Sequence, residues 1–230
     1  MAERPIFIPC TTGIGLVSEI SVDFLWSPGF APVQKKKSIA ALHRAAAEQG
    51  YAPLLEVSTK SEVPLGRRLS AFSLKVISKA HGKIPLECAF QGSKVFEHGG
   101  PFTDLYSRDA RDAKRDPRIR SSGKIIRFQF EGSVFPTEPL TAFYDWLYLT
   151  TIFPHRVFLE RLERYRGYTD IEFNPGKSIN CQARSCATFV AMMKRGILED
   201  ALQSPERFLS VVNSNAQKLT PAGSNTKDGK

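Results

Sequence analysis

Three polar side chains interrupt an otherwise apolar stretch, HGKIPLECAFQGSKVF, at residues 81–96. Glu87, Gln91 and Lys94 offer a carboxylate, an amide and an amine, and carboxylates and amines serve in acid–base and nucleophilic catalysis. On a helix these side chains fall within about 60° of one another, together with His98. Glu87 and Lys94 would lie about 10 Å apart along the axis, too far for an i,i+4 ion pair. The pattern fits a catalytic surface or a solvated helix face, and the solvated face is the commoner outcome for an amphipathic helix.

The surrounding elements are predicted from apolar periodicity and from capping and turn residues. Strands are predicted over residues 16–26, 52–59 and 124–132. Helices are predicted over residues 39–49, 86–96, 140–153, 155–165 and 181–197. Ser38 is expected to cap the first helix and Gly50 to end it, whereas Pro85 suits the first turn of the second. These elements predict a helix-rich α+β domain, followed by a polar tail without a core face that we expect to be disordered.

Composition limits the kind of protein and its compartment. The 230 residues are 42% hydrophobic and 24% charged, as in ordinary globular proteins. No apolar run approaches the ~20 residues of a membrane span, and the start, MAERPIFIPC, lacks the pattern of a secretory signal. The four cysteines form no C-x-x-C pair, and no two histidines have metal-ligand spacing. We therefore expect a cytoplasmic protein with reduced cysteines, no membrane partner, no metal and no cofactor.

The charge balance favours a polyanionic partner. The net charge is +9 and the pI is about 9.5, which suits nucleic acid or a phosphorylated ligand. Basic residues cluster at 34–38, 66–68 and 108–120. The last run also contains three aspartates, so its excess of positive charge is modest and a solvated helix and turn is its usual structure.

Three ordered blocks resemble the NADAR domain, the YbiA-like family. The sequence LSAF (69–72) precedes a helix pattern, G-K…P-x-x-E-x-x-F/Y-Q-x-x-K, with one residue fewer between the proline and the glutamate here. The matching positions are Gly82, Lys83, Pro85, Glu87, Phe90, Gln91 and Lys94. Trp146, in FYDWLYL, corresponds to the family's helix tryptophan. Residues 168–196 resemble its closing segment, in which Asp170 takes the acidic position.

Some positions depart from the family pattern. Ala71 stands where an asparagine is usual, and Phe173 with Asn174 replaces a Trp-Gly pair. Asn180 and Ser185 compete for one position of the closing helix. The whole set of blocks is most similar to a narrower branch, the NADAR antitoxins found beside DarT-type toxins that ADP-ribosylate guanine in single-stranded DNA.

The resemblance implies a domain division and an activity. Residues 1–65 would form a mixed strand–helix extension packed on the main domain, 66–212 the catalytic domain and 213–230 a disordered tail. The activity implied is hydrolysis of the N-glycosidic bond between ADP-ribose and guanine. Its partners would be ADP-ribosylated single-stranded DNA, ADP-ribose as product, and a DarT-type toxin. Two alternatives remain: an N-glycosidase of a small metabolite of riboflavin-pathway type, and a non-catalytic antitoxin that binds the toxin or shields DNA.

The resemblance also suggests roles for individual residues. Cleavage at ribose C1 passes through an oxocarbenium-like state that needs a carboxylate nearby; Glu87 is the first candidate and Asp170 the second. Lys94 either holds the diphosphate or attacks C1 with its amine. The further ligand-binding candidates are Ser70, Phe72, Gln91, Trp146, Phe173, Asn174 and Asn180. Backbone N–H groups of KSINCQARS (177–185) are candidates for binding a phosphate at a helix N-terminus, and Cys181 and Cys186 there are expected to pack in the core.

Overall fold

A computed structural model describes residues 1–29, 31–176 and 178–216. In chain order, the strands are β1 (Ala2–Pro9), β2 (Val17–Phe24), β3 (Leu54–Glu56), β4 (Lys75–Ser78), β5 (Gly82–Pro85), β6 (Lys94–Phe96), β7 (Ile125–Phe130), β8 (Ser133–Phe135) and β9 (Gly167–Thr169). The helices are α1 (Pro32–Glu48), α2 (Pro64–Arg68), α3 (Leu86–Gly92), α4 (Ala110–Arg115), α5 (Arg118–Ser121), α6 (Ala142–Ile152), α7 (Arg156–Leu159), α8 (Gln182–Lys194), α9 (Leu198–Ala201) and α10 (Pro205–Ala216). This mixture confirms the predicted α+β class.

Sheet pairing joins distant parts of the chain. The first sheet has the order β2-β1-β9-β3, with β1 antiparallel to β2 and β9 parallel to β3. Strands β4 and β5 form an antiparallel hairpin, and β6, β7 and β8 form an antiparallel sheet. Because β9 lies between β1 and β3, residues 167–169 complete a sheet built otherwise from the first 65 residues. The predicted division into an extension and a catalytic domain stays a prediction.

The core has a large and a small part. Helices α3, α6 and α8 and the β6-β7-β8 sheet enclose the large part, in which Phe128 stacks at 5.7 Å from Phe90 and at 4.9 Å from Phe143. The small part lies between α1 and the first sheet, around Ile6 and Leu42. Helix α6 is buried almost all round, as expected for a helix at the centre of a domain. Helix α3, which carries Glu87 and Gln91, is therefore part of the packed core.

Most predicted elements are confirmed, and the errors have local causes. The predicted strands contain β2, β3 and β7, and the helices predicted at 140–153 and 181–197 contain α6 and α8. The capping role of Ser38 was wrong, because α1 begins at Pro32 and the Ser38 hydroxyl accepts a hydrogen bond from Ser27 N–H at 3.0 Å. The helix predicted at 155–165 divides into α7 and a 3₁₀ turn.

The helix predicted over residues 86–96 is correct at its start but too long. Helix α3 ends at Gly92, and Lys94 lies on β6, opposite Phe128 of β7. A Cβ atom at Gly92 would lie 2.6 Å from the ring of Tyr106, so only glycine allows this close approach. Glu87 and Gln91 therefore share a helix face, and Lys94 reaches them from a strand.

The end of the chain only partly falls within the described residues. Helix α10 continues through Ala216, so the first residues of the tail predicted as disordered are helical. Residues 217–230 lie outside the described residues. Across the described ranges, no helix has the length and apolar character needed to cross a bilayer, and no three His, Cys, Asp or Glu side chains are grouped to hold a metal ion.

Buried polar contacts attach α6 to the elements that border the cleft. The Tyr148 hydroxyl donates to the Leu69 carbonyl at 2.8 Å, next to the segment that carries Ser70 and Phe72. Asp145 accepts hydrogen bonds from Arg184 at 2.8 Å and from the Ser185 hydroxyl, which joins α6 to α8. The Tyr148 and Ser185 contacts are in the interior, where a lost partner leaves a buried polar group unsatisfied.

We predict that Tyr148→Phe lowers the free energy of unfolding by about 1–3 kcal/mol, because the Leu69 carbonyl loses its hydroxyl donor. Urea denaturation measures the change. Tyr165→Phe is the matched control: within the described residues its hydroxyl accepts only from the exposed Arg164 side chain, so its effect should stay within about 0.5 kcal/mol. Equal losses in the two variants would show that the Tyr148 hydrogen bond has no special importance.

Candidate active site

Glu87, Gln91 and Lys94 form a hydrogen-bonded row at the base of a cleft. Gln91 Nε2 donates to Glu87 Oε1 at 2.7 Å, and Lys94 Nζ donates to Gln91 Oε1 at 2.6 Å. Their exposed fractions are 8%, 5% and 9%, so the solvated helix face is wrong for these three residues. His98 is exposed beyond the end of β6. The amide of Gln91 has its oxygen toward a cation and its nitrogen toward an anion, which fixes its orientation.

Lys94 has an unusual environment for a lysine. Burial lowers its pKa to about 8, the Glu87 carboxylate opposes this shift, and the nearby cation of Lys114 adds to it. The ammonium nitrogen lies 4.7 Å from the centre of the Phe90 ring. At pH 7 a pKa of about 8 leaves about a tenth of the amine neutral. The side chain is thus able to act as a cation or, in its minor form, as a nucleophile.

The cleft consists of two adjoining cavities, here called the first and second lobes, of about 600 and 590 Å³. Both volumes are in the range of small-molecule sites. The two lobes share Glu87, Lys114, Tyr144, Ser178 and Asn180. The first lobe contains Gln91 and Lys94 and has a largely apolar lining. Its apolar residues include Phe90, Ile119, Ile125, Phe128, Leu140 and Ile179.

The second lobe is lined by more polar and charged residues than the first, and many of them belong to the segment after β9. Asp170 Oδ1 accepts from Glu172 N–H at 3.0 Å, and Asn174 Oδ1 accepts from Gly176 N–H at 3.0 Å. Burial raises the pKa of Asp170 well above its usual value, and the like charge of Glu56 raises it further. A raised pKa keeps a carboxyl protonated at higher pH, so Asp170 is suited to donate a hydrogen bond.

Two further predicted residues also belong to the second lobe. The Phe173 ring packs edge-on against Phe7 at 6.1 Å. Asn180 Oδ1 is buried and has no hydrogen-bond partner within residues 1–29, 31–176 and 178–216. Such a group normally finds a partner, so a ligand with a donor would satisfy it.

The segment around Ser70 borders the second lobe through Gln182. Gln182 Oε1 accepts from the Ala71 N–H at 2.6 Å and from the Ser70 hydroxyl at 3.4 Å. Ser70 is fully buried and positions this amide, whereas Phe72 is half exposed and lines the lobe. Trp146 does not join them: its ring packs at 5.0 Å from Phe135, away from the residues that line either lobe. The position of Trp146 gives no support to its predicted stacking role, because the half-buried ring packs against the edge of the core.

Several residues of the cleft escaped sequence reasoning. Tyr144 is buried, lines both lobes and contacts Phe90 edge-on at 5.1 Å. Lys114 and Arg120 lie on the walls, in a run whose composition indicated a solvated helix. Glu56 had a recognisable signal, because it is a lone acid among the apolar residues of a predicted strand.

Glu56 holds the segment that carries Asp170. Its carboxylate is 2% exposed and accepts from Thr169 Oγ1 at 2.6 Å and from Ile171 N–H at 2.9 Å. Thr169 Oγ1 also lies 2.8 Å from His43 Nε2, which continues the network to α1. Burial raises the pKa of Glu56 to about 7 and lowers that of His43 to about 4. The residues on both sides of Asp170 are therefore attached to one buried carboxyl group.

The fold and this arrangement define a class: an α+β protein with a two-lobed ligand cleft based on a carboxylate–amide–amine row. The chain matches the model of the DarT1-associated NADAR antitoxins over residues 2–221, and it belongs to that family. The resemblance identified from the sequence is thus confirmed. No curated protein matches the chain significantly.

The raised pKa of Glu56 predicts a specific pH dependence of stability. Between about pH 4.5 and 7, the folded carboxyl keeps a proton that the unfolded chain has lost. Its contribution to the free energy of unfolding therefore falls as pH rises through this window. Glu56→Gln removes that contribution, so the variant should gain stability relative to the wild type from pH 4.5 to pH 7.

Urea unfolding at several pH values measures this difference. Glu19→Gln, an exposed position on β2, is the matched control and should follow the wild-type curve at a constant offset. A constant offset for Glu56→Gln as well would contradict a raised pKa at Glu56.

Proposed function

We propose that this protein hydrolyses the N-glycosidic bond that joins ADP-ribose to guanine in single-stranded DNA, and so reverses the modification made by a DarT-type toxin. The observation that carries the proposal is the buried Glu87–Gln91–Lys94 row, which lines the first lobe and whose Glu87 also lines the second. Membership of the DarT1-associated NADAR antitoxin family supports the role of antitoxin and the toxin as a partner. The basic net charge supports a nucleic-acid substrate.

Glu87 is suited to the charge that develops during this reaction. As guanine departs, positive charge grows at ribose C1, and a carboxylate close by stabilises it or activates the attacking water. Gln91 holds Oε1 of Glu87 from within the protein. Oε2 receives no hydrogen bond from the described residues, and Glu87 lines both lobes, so this oxygen is open to substrate or water.

The division of the cleft matches a substrate with two unlike parts. The bond to be cleaved joins a flat base to a sugar, and a residue common to both lobes is suited to act on such a bond. In the first lobe, the rings of Phe90 and Phe128 are suited to receive a flat base by stacking. The second lobe offers Asp170, Asn174 and Asn180 to sugar hydroxyls. Asp170 then positions the ribose, and Glu87 acts at C1.

The substrate assay is the first test of the proposal. ADP-ribosylated single-stranded DNA is incubated with the protein under single-turnover conditions, and mass spectrometry identifies the products. Free ADP-ribose and unmodified DNA are expected. Persistence of the modification would leave the non-catalytic antitoxin, and turnover of a nucleotide-sized glycoside alone would favour a small-metabolite glycosidase.

We predict that Glu87→Gln lowers the single-turnover rate by ~10² or more, because it keeps the shape but removes the carboxylate charge. Thermal unfolding should change little, since the amide still offers an acceptor to Gln91. Glu97→Gln is the control: Glu97 is exposed just beyond the row and accepts from Lys124 N–H at 2.9 Å. A normal rate in Glu87→Gln, or early melting without a specific rate loss, would make Glu87 a structural residue.

Lys94 has two possible roles that one experiment separates. In the covalent route its neutral amine forms a bond to C1, the bond from C1 to the guanine amine breaks, and the departing amine takes a proton. The ribose ring opens to an imine that water hydrolyses, which regenerates Lys94. In the binding route the ammonium holds the diphosphate and forms no bond. The lowered pKa of Lys94 supports the covalent route.

We predict that borohydride added during turnover links ADP-ribose to Lys94, because it reduces the imine to a stable amine, and that peptide mass spectrometry finds the adduct there. The rate should rise about tenfold per pH unit below pH 8 and level off above it, as the amine loses its proton. Lys83→Arg, exposed in the same motif, should leave both results unchanged. An active Lys94→Arg variant without any adduct in the wild type would establish the binding role instead.

A further inference from the structure

Aspartate side chains organise the basic run at residues 108–120 by capping a helix and pairing with Arg118. Asp109 Oδ1 accepts from the Arg111 N–H at 2.8 Å and caps α4. Arg118 is held between Asp116 at 2.9 Å and Asp104 at 2.7 Å. Asp109 and Asp116 of the run, together with Asp104 just before it, thus serve capping and pairing, and the paired guanidinium of Arg118 fixes the start of α5.

The guanidinium of Arg118 also lies 4.5 Å from the centre of the Phe102 ring. This cation–π contact with a residue outside the run helps the ion pairs with Asp104 and Asp116 to hold the guanidinium in place. The exposed ion pairs are each weak, but together they order the short helices α4 and α5 relative to each other.

Two cations of the same run line the cleft and take no part in this pairing. Lys114, on α4, lines both lobes, and Arg120, on α5, lines the second lobe. Neither forms an ion pair with any carboxylate among the described residues. The positive charge of Lys114 helps to lower the pKa of Lys94 at the base of the cleft.

We propose that Lys114 and Arg120 form a phosphate-binding wall of the cleft. The phosphates come from the diphosphate of the ADP-ribosyl group or from the DNA backbone beside the modified guanine; this identification of the ligand rests on the proposed function. Glu172 also lines the second lobe, and its carboxylate disfavours phosphate there, so a phosphate is directed to the basic wall. Two cations on helices held by Arg118 offer a site arranged before the ligand arrives.

Isothermal titration calorimetry with wild-type protein tests this wall without requiring turnover. ADP-ribose, adenosine and an unmodified single-stranded oligonucleotide are titrated into the wild type, Lys114→Ala, Arg120→Ala and Arg115→Ala. Arg115 is the control, because it is an exposed neighbour of Lys114 on α4 that does not line the cleft. Unchanged melting temperatures establish that each variant is folded.

The expected result is a loss of about tenfold or more in affinity for a phosphate ligand in Lys114→Ala and in Arg120→Ala. The effect should be absent in Arg115→Ala and for adenosine. A loss confined to ADP-ribose identifies the diphosphate, and a loss confined to the oligonucleotide identifies the backbone, with a smaller salt dependence of binding.

Three outcomes would overturn the proposal. The wild type binds neither ADP-ribose nor the oligonucleotide, or Lys114→Ala and Arg120→Ala both keep the wild-type affinity, or Arg115→Ala loses as much affinity as they do. Because these titrations use the product and unmodified DNA, binding through Lys114 and Arg120 by a protein that cleaves nothing would support the wall and reject the proposed hydrolysis.

Discussion

The amide of Gln91 is the contact on which the cleft depends. It accepts from the Lys94 ammonium and donates to the Glu87 carboxylate, so two buried ionisable groups are joined through a neutral group. A direct ion pair would satisfy each charge with the other, whereas the amide leaves each with capacity for a substrate. The geometry exists only because α3 ends at Gly92 and the chain turns at once into β6. A longer helix would carry Lys94 a further turn away from Glu87.

A second buried carboxyl group determines the opposite side of the cleft. Glu56 binds the residues before and after Asp170 and connects them to the first sheet. Strand β9 is central in that sheet, so the N-terminal 65 residues support the segment that lines the second lobe. The described part of this region therefore supports the segment around Asp170 but does not itself line the cleft.

Charge is distributed unevenly around the cleft. The cations of Lys114 and Arg120 lie on α4 and α5, while the carboxylate of Glu172 belongs to the segment after β9. Such a separation orients a ligand that has an anionic part and a hydroxyl-bearing part. The positive charge of Lys114 also disfavours protonation of the Lys94 amine. A phosphate bound at Lys114 would offset that repulsion, so ligand binding and the protonation of Lys94 are linked.

The sequence by itself determined the α+β class, the central helices α6 and α8, the start of α3 and some of the polar residues of the cleft. Helical periodicity, Pro85 and the ordered NADAR blocks are local signals, and local signals survive without knowledge of contacts. They identified Glu87, Gln91, Lys94 and Asp170 as residues of interest.

Tertiary structure alone decided how these residues meet. Pairing with β7 makes a strand of residues 94–96, and burial by distant elements converts an apparent solvated face into an enclosed row. Lys114 and Arg120 were not identified from the sequence, because composition does not reveal which cations of a run have acidic partners. For the same reason Trp146 was predicted to bind ligand, although its ring packs against Phe135. Burial, pairing and electrostatic neighbours arise from residues far apart in the chain, and for that reason no local pattern specifies them.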